Sequence, residues 1–227
     1  MSSPGDPPAT TDDLRLVHAV EVPKAVAAVA LLVAAWILAD RRLSTAEAEV
    51  FETINDLPGL LEAVLWAPMQ LGSLLGPVVV ALAAAFGWRR WQPAVATFVA
   101  GVVGWEAAKL VKSWVARGRP VDVLDEVVRR WGTPTEGLGF VSGHTTVAFA
   151  LAGTLSPWIG RWRWLAYGVA GVVALARVHV AAHLPLDVVG GAALGLVVAE
   201  LTNTLVGVPA DRDHVAPRAR RWRWSPR

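Results

Sequence analysis

The sequence predicts an all-α membrane protein, a bundle of six transmembrane helices, and three observations lead there. Hydrophobic residues make up 54% of the 227 positions, and the mean hydropathy is +0.45. That apolar balance is unusual for a water-soluble domain. Six stretches approach the roughly 20 apolar residues that a helix needs to cross a hydrocarbon core of about 30 Å. Three patches rich in Arg and Trp punctuate the chain, and membrane interfaces select both residue types.

Each element follows in order. The first span is expected over residues 22–39, with Lys24 able to snorkel at its edge. The second covers 60–86 and is long; Pro68 and Pro77 should kink or divide it. A third, over 94–115, carries Glu106, Lys109 and Lys112. The fourth, fifth and sixth are read at 144–159, 164–180 and 185–206, the last containing Asp187 and Glu200. No internal repeat is visible. The chain thus divides into a flexible N-terminal tail (1–21), a six-helix membrane domain (22–207) and an Arg/Trp-rich cytoplasmic tail (208–227).

Orientation follows from the patches Trp88-Arg89-Arg90-Trp91, Arg161-Trp162-Arg163-Trp164 and Arg220-Arg221-Trp222-Arg223-Trp224. With six spans all three fall on one side, and basic loops favour the cytoplasm. Residues 40–58 on the other side are acidic, with Asp40, Glu47, Glu49, Glu52 and Asp56 against Arg41 and Arg42. Both termini are therefore expected in the cytoplasm of a multi-pass plasma-membrane protein. The chain has no cysteine, which excludes disulfides and thiolate metal sites. A net charge of +2 gives no ground for a nucleic-acid partner. Residues 1–21, rich in Pro, Asp and Thr, lack a signal-peptide pattern.

Three short clusters carry the chemistry: Lys112-x6-Arg119-Pro120, Ser142-Gly143-His144 and Arg177-x5-His183-x3-Asp187. On the six-span layout they all fall at the face opposite the Arg/Trp patches. Lys112, Arg119 and Arg177 can neutralise a phosphate, the arginines bidentately. Ser142 is a good N-cap, and Gly143 lets the backbone of a helix start approach an anion. Pro185 suits the first position of the last helix. His183 and Asp187 are four residues apart, so the carboxylate can hold one ring nitrogen and leave the other free to attack. His144, from another helix, can give a proton to a leaving oxygen.

Taken singly, these residues have plainer readings. His144 could be satisfied by backbone, Arg177 could answer a helix dipole, and Lys112, Arg117 and Arg119 could be interface anchors. Their convergence on one face is what favours function, since ionisable groups near membrane depth are rarely idle. Glu106 and Lys109 read as a structural ion pair, and Glu200 and Asn203 as interhelical hydrogen-bonding groups. His179 could stand behind the site. The loop 122–136 reads as solvated, with part of it covering the site.

The clusters resemble the three signature motifs of the type 2 phosphatidic acid phosphatase/vanadium haloperoxidase superfamily, in order and with matching spacings, over about residues 112–187. The resemblance implies a metal-independent membrane phosphatase with no cofactor and a phosphohistidine intermediate. It implies His183 as nucleophile, Asp187 as its orienting partner and His144 as general acid. Lys112, Arg119, Ser142, Gly143 and Arg177 would hold the phosphate. The substrate implied is a lipid phosphate or diphosphate, such as undecaprenyl diphosphate, phosphatidic acid or phosphatidylglycerol phosphate. Two positions depart from the family pattern. Val141 stands where it has proline, which should loosen the turn, and Ala176 where it has serine, which removes a hydroxyl. Alternatives with the same fold are a lipid phosphotransferase and a catalytically inactive scaffold; the intact His183, His144 and Arg177 speak against the scaffold. Soluble haloperoxidase chemistry fits a chain of membrane spans poorly.

Overall fold

The computed structural model describes residues 16–17, 21–39, 43–88, 91–134 and 136–209. Its helices are α1 (Val22–Ala39), α2 (Thr45–Asn55), α3 (Leu60–Gln70), α4 (Leu75–Trp88), α5 (Trp91–Val115), α6 (Pro120–Val123), α7 (Gly143–Ile159), α8 (Arg163–His179) and α9 (Pro185–Val206). The Arg89-Arg90 pair and the patch at 220–224 lie outside the described residues.

Helix α7 is the central post and packs against α9, α5, α8 and α4. It is apolar nearly all round, as a fully buried helix must be. The tightest seam is with α9. A Cβ at Gly191 would come within 2.7 Å of the Ser142 carbonyl, and one at Gly153 would meet the Ala199 methyl at 2.6 Å. Small residues on both helices let the backbones close to a distance that larger side chains forbid.

Among the described residues, three helical stretches are long and apolar enough to cross a membrane: α1, the segment from α5 through α6, and α9. The pair α3 and α4 qualifies as a fourth if counted as one span bent by 61°. Helices α7 and α8 have 17 residues each, about 26 Å at 1.5 Å per residue. The chain is a helical membrane protein of this kind.

Two expectations change. Residues 40–58 are not simply an acidic loop. Helix α2 lies within them, capped by Ser44, whose Oγ accepts from Glu47 N at 3.2 Å. Glu47, Phe51 and Asn55 stand four apart on one face, and all three are buried. The second span does divide, but between the two prolines rather than at either. Pro68 lies inside α3, and Pro77 falls in the first turn of α4, where a missing N–H costs no helical bond. Ser73 Oγ accepts from Leu75 N at 3.2 Å and starts the new helix.

At one end, Leu16–Val17 pairs antiparallel with Val208–Pro209. Residues assigned to the two predicted tails thus meet each other. The link between α7 and α8 is a 3₁₀ turn, Gly160–Trp162. There Arg161 lies 5.4 Å from the Trp162 ring centre and Arg163 lies 5.3 Å from that of Trp164, with both indoles exposed. This is the arrangement expected of an interfacial anchor.

Candidate active site

The predicted residues do converge at the opposite end of the bundle. They come from the last turns of α5 and α8, the start of α6, the first turns of α7 and α9, and the turn between α8 and α9. Backbone contacts lock these ends together. Ser142 N donates to the Asp187 carbonyl at 2.9 Å, and His183 N and Ala182 N both donate to the Arg177 carbonyl. Gly139 N donates to the Arg117 carbonyl at 2.7 Å.

Carbonyls hold two of the three cations. Lys112 Nζ donates to the carbonyls of Leu138 and Gly139, each at 2.8 Å. Arg119 Nε donates to those of Glu136 and Gly137, and its Nη1 to that of Ala182 at 2.7 Å. Arg177 is buried; its Nη1 reaches the Met69 sulfur at 3.3 Å and its Nε has no hydrogen-bond partner. Among the described residues, none of these three side chains is in an ion pair. A carbonyl satisfies a donor's geometry but leaves its charge in place, and an uncompensated buried charge is costly. The arrangement is therefore primed for an anion.

Ser142 caps α7 as expected. Its Oγ accepts from Thr145 N at 3.4 Å and from Thr145 Oγ1 at 3.0 Å. The amides of Gly143 and His144 lie in the turn where a helix leaves N–H groups without intrahelical acceptors. A Cβ on Gly143 would meet its nearest protein atoms at 3.7 Å, an ordinary contact, so packing does not demand glycine there. His144 meets the Trp105 ring edge-on at 5.8 Å and shares its electrostatic surroundings with Arg177, His183 and Lys112.

His183 sits in the turn between α8 and α9, buried at 3% exposure. Burial first, then the charges of Lys112, Arg177 and Arg119, push its imidazole well below the ordinary value; the Gly139 backbone acts the other way. This favours the neutral ring, which keeps a lone pair. Its Nδ1 stands 3.6 Å from Asp187 Oδ2, longer than a hydrogen bond. Asp187 Oδ2 instead accepts from Leu184 N at 2.9 Å and caps α9, with Pro185 in its first turn.

Several expectations are corrected. Arg117 is no interface anchor: its side chain is only 9% exposed and bridges Glu47 and Asp187. Sequence reasoning passed over both Arg117 and Glu47 as site residues. The signal was there in the four-residue spacing of Glu47, Phe51 and Asn55, which gives an otherwise acidic segment one buried face. His179 points away from the site, with Nδ1 3.1 Å from the Ile54 carbonyl on α2. The charged side chains Asp125, Glu126, Arg129 and Glu136 of the loop after α6 are exposed, as expected, but the loop is tied down. Asn55 pairs with both backbone groups of Val128, Arg130 donates to the carbonyls of Leu57 and His179, and Trp131 stacks on Trp66 at 5.3 Å. Val141 is fully buried with Phe140, Ala108 and Leu194. Ala176 packs with Leu65, Met69 and Val180 between α8 and α3.

Two other readings stand. Glu106 and Lys109 pair at 2.8 Å, and Asn203 Nδ2 donates to the Gly153 carbonyl across the α7–α9 seam at 3.2 Å. Among the described residues, no three His, Cys, Asp or Glu side chains are gathered to hold a metal. The described residues form an apolar cavity of about 420 Å³ between α4, α7 and α8 and an open apolar groove on the exposed surface of α1. None of the site residues lines either.

The model of the PAP2 superfamily matches residues 24–208. The chain belongs to the PAP2 superfamily. Two solved PAP2-like folds superimpose on it. One is described as the first transmembrane PAP2 type phosphatidylglycerolphosphate phosphatase from Bacillus subtilis; it has TM-score 0.57 and 22% identity, over 78% of this chain and 94% of that one. The other, Aquifex aeolicus LpxE, has TM-score 0.59 and 24% identity, over 68% and 93%. Among curated proteins, the lipid A 4'-phosphatase of Porphyromonas gingivalis is 31% identical over 97 residues, which is 40% of this chain and 41% of the relative's length. The chain therefore matches less than half of that PAP2 relative.

Proposed function

We propose that this PAP2 protein is an integral membrane phosphatase that hydrolyses a lipid phosphate or diphosphate through a phosphohistidine intermediate. One observation carries the reading. Lys112, Arg119 and Arg177 stand at one end of the bundle around a neutral His183, none of them in an ion pair among the described residues. Three such cations around a nucleophile suit a phosphate, whose transition state spreads negative charge over the equatorial oxygens.

In this mechanism His183 Nε2 attacks phosphorus in line, because Nδ1 faces Asp187. A P–N bond forms and the P–O bond to the leaving group breaks. His144 delivers a proton to the departing oxygen. It then takes a proton from water, which attacks phosphorus, breaks the P–N bond and frees phosphate. The amides of Gly143 and His144 assist the cations, and Ser142 holds that turn in place. Neither step draws on a metal or a cofactor. The names of the relatives support a lipid phosphate as the substrate class; undecaprenyl diphosphate, phosphatidic acid, phosphatidylglycerol phosphate and the lipid A headgroup all present it.

In the full reading, six spans cross the plasma membrane, with α3 and α4 forming one broken span and α7 and α8 two short ones. The pairing of Leu16–Val17 with Val208–Pro209 supports an even number of crossings. The exposed Arg161–Trp164 patch supports a cytoplasmic location for that end, which turns the site outward.

Phosphate release from a panel of lipid mono- and diphosphates, in detergent with EDTA, tests the proposal. Wild type should release phosphate; His183→Ala and His144→Ala should lose at least about 100-fold, within the range for general acid–base groups. Undiminished activity in His183→Ala would refute the mechanism. Transfer of the phosphoryl group to a hydroxyl acceptor with no free phosphate would favour the phosphotransferase, and loss with EDTA would refute metal independence. In intact cells, a cysteine introduced at Glu126 should react with an impermeant thiol reagent; labelling only after permeabilisation would reverse the orientation.

A further inference from the structure

We infer that Glu47 and Arg117 form a positioning pair that holds Asp187, and through it His183, in register for phosphoryl transfer. The inference rests on the roles proposed above for His183 and Asp187. Arg117 Nη1 donates to Asp187 Oδ1 at 2.9 Å and to Glu47 Oε1 at 3.1 Å, and Nη2 donates to Glu47 Oε2 at 2.6 Å. The guanidinium thus meets Glu47 as a two-pronged fork, the geometry that fixes its plane. Glu47 Oε1 also accepts from Leu186 N at 3.0 Å, one residue before Asp187. The side chains of Arg117, Glu47 and Asp187 are 9%, 5% and 0% exposed.

This cation differs from its neighbours. Lys112, Arg119 and Arg177 are in no ion pair among the described residues, whereas Arg117 is shared between two carboxylates. Its charge is already answered, so it is the wrong arginine to bind phosphate and the right one to steer a carboxylate. With Arg117 on Oδ1 and Leu184 N on Oδ2, both oxygens of Asp187 are fixed. That leaves Oδ2 the edge facing His183 Nδ1. The Arg117 carbonyl meanwhile accepts from Gly139 N, and the Gly139 carbonyl accepts from Lys112. A slip of Arg117 would therefore reach both the nucleophile's partner and a phosphate-facing cation. Helix α2, which carries Glu47, becomes part of the catalytic apparatus without touching substrate.

A double-mutant cycle separates positioning from simple support. The full-length protein is assayed in detergent on phosphatidic acid, or on whichever lipid phosphate of the panel is turned over fastest. Glu47→Gln should lower kcat by roughly 10–100-fold, the range usual for groups that orient an active-site ligand, with KM within about twofold of wild type. In an Asp187→Asn background the same change should cost nothing further, because the group it steers is gone. If Glu47→Gln unfolds at the assay temperature, Arg117→Lys, which keeps the charge but loses the fork, serves in the same cycle. Wild-type kcat in Glu47→Gln, or losses that multiply in the double variant, would overturn the positioning role while leaving the proposed function intact. Wild-type kcat in both His183→Ala and Asp187→Asn would instead refute the proposed function, and this inference with it.

Discussion

Burial and the nearby cations Lys112, Arg177 and Arg119 hold the His183 imidazole well below its ordinary range. The sign of the consequence is fixed. A free histidine takes up a proton near pH 6.5, so between that value and the lowered one His183 stays neutral in the fold while the unfolded chain is protonated. Its contribution to stability is fully present above about pH 6.5 and is lost as pH falls through the lowered value. In the proposed mechanism the nucleophilic form is likewise expected to survive mild acid. The ring resonance that disappears in His183→Gln should, by NMR of the phosphate-free protein in micelles, still report a neutral imidazole at pH 6. A midpoint at or above about 6.5 would contradict the electrostatics. Residue types at these positions were legible in the sequence because each is chemically unusual for a membrane helix end. Their counter-charges were not: the Glu47–Arg117 contact joins residues 70 apart, and no local pattern encodes it.

Helix α2 shows how an element can hide. Its composition is acidic, so a hydropathy reading passes over it, yet Phe51 is fully buried with Val178, Ala181 and Leu184. Phe51→Ala should cost about 3–5 kcal/mol, as truncation of a buried aromatic usually does, and should lower the thermal midpoint in detergent. An unchanged midpoint would show that α2 is not docked on α8 and α9. The long apolar helices were readable within a few residues, because length and hydropathy suffice for α1, α5 and α9. The break at 71–74 was half readable: the prolines announced a bend, but the bend falls where Ser73 starts a new helix. The charged side chains of the loop after α6 were legible as solvated, and Asp125, Glu126, Arg129 and Glu136 are exposed. Its anchoring was not: Asn55 of α2 and the loop's own Arg130 and Thr133 donate to backbone carbonyls of α8, of the loop itself and of the turns that flank them.

Across the whole molecule, division of labour follows the bundle's two ends. One end pairs Leu16–Val17 with Val208–Pro209 and exposes Trp162 and Trp164. The other gathers three cations, two imidazoles and a carboxylate onto four helix ends that are tied together by backbone hydrogen bonds. In the proposed topology, such a layout would present the chemistry at headgroup level while the helices remain in lipid. The central claim is that phosphate passes through a covalent bond to His183. Its most direct test uses a lipid phosphate labelled with ³²P in the group to be released, mixed briefly with the purified protein and quenched in alkaline detergent. The account predicts a labelled protein, stable to alkali and labile to acid, with the label mapping to His183 and absent from His183→Ala. Label on any other residue, or equal labelling of His183→Ala, would contradict it.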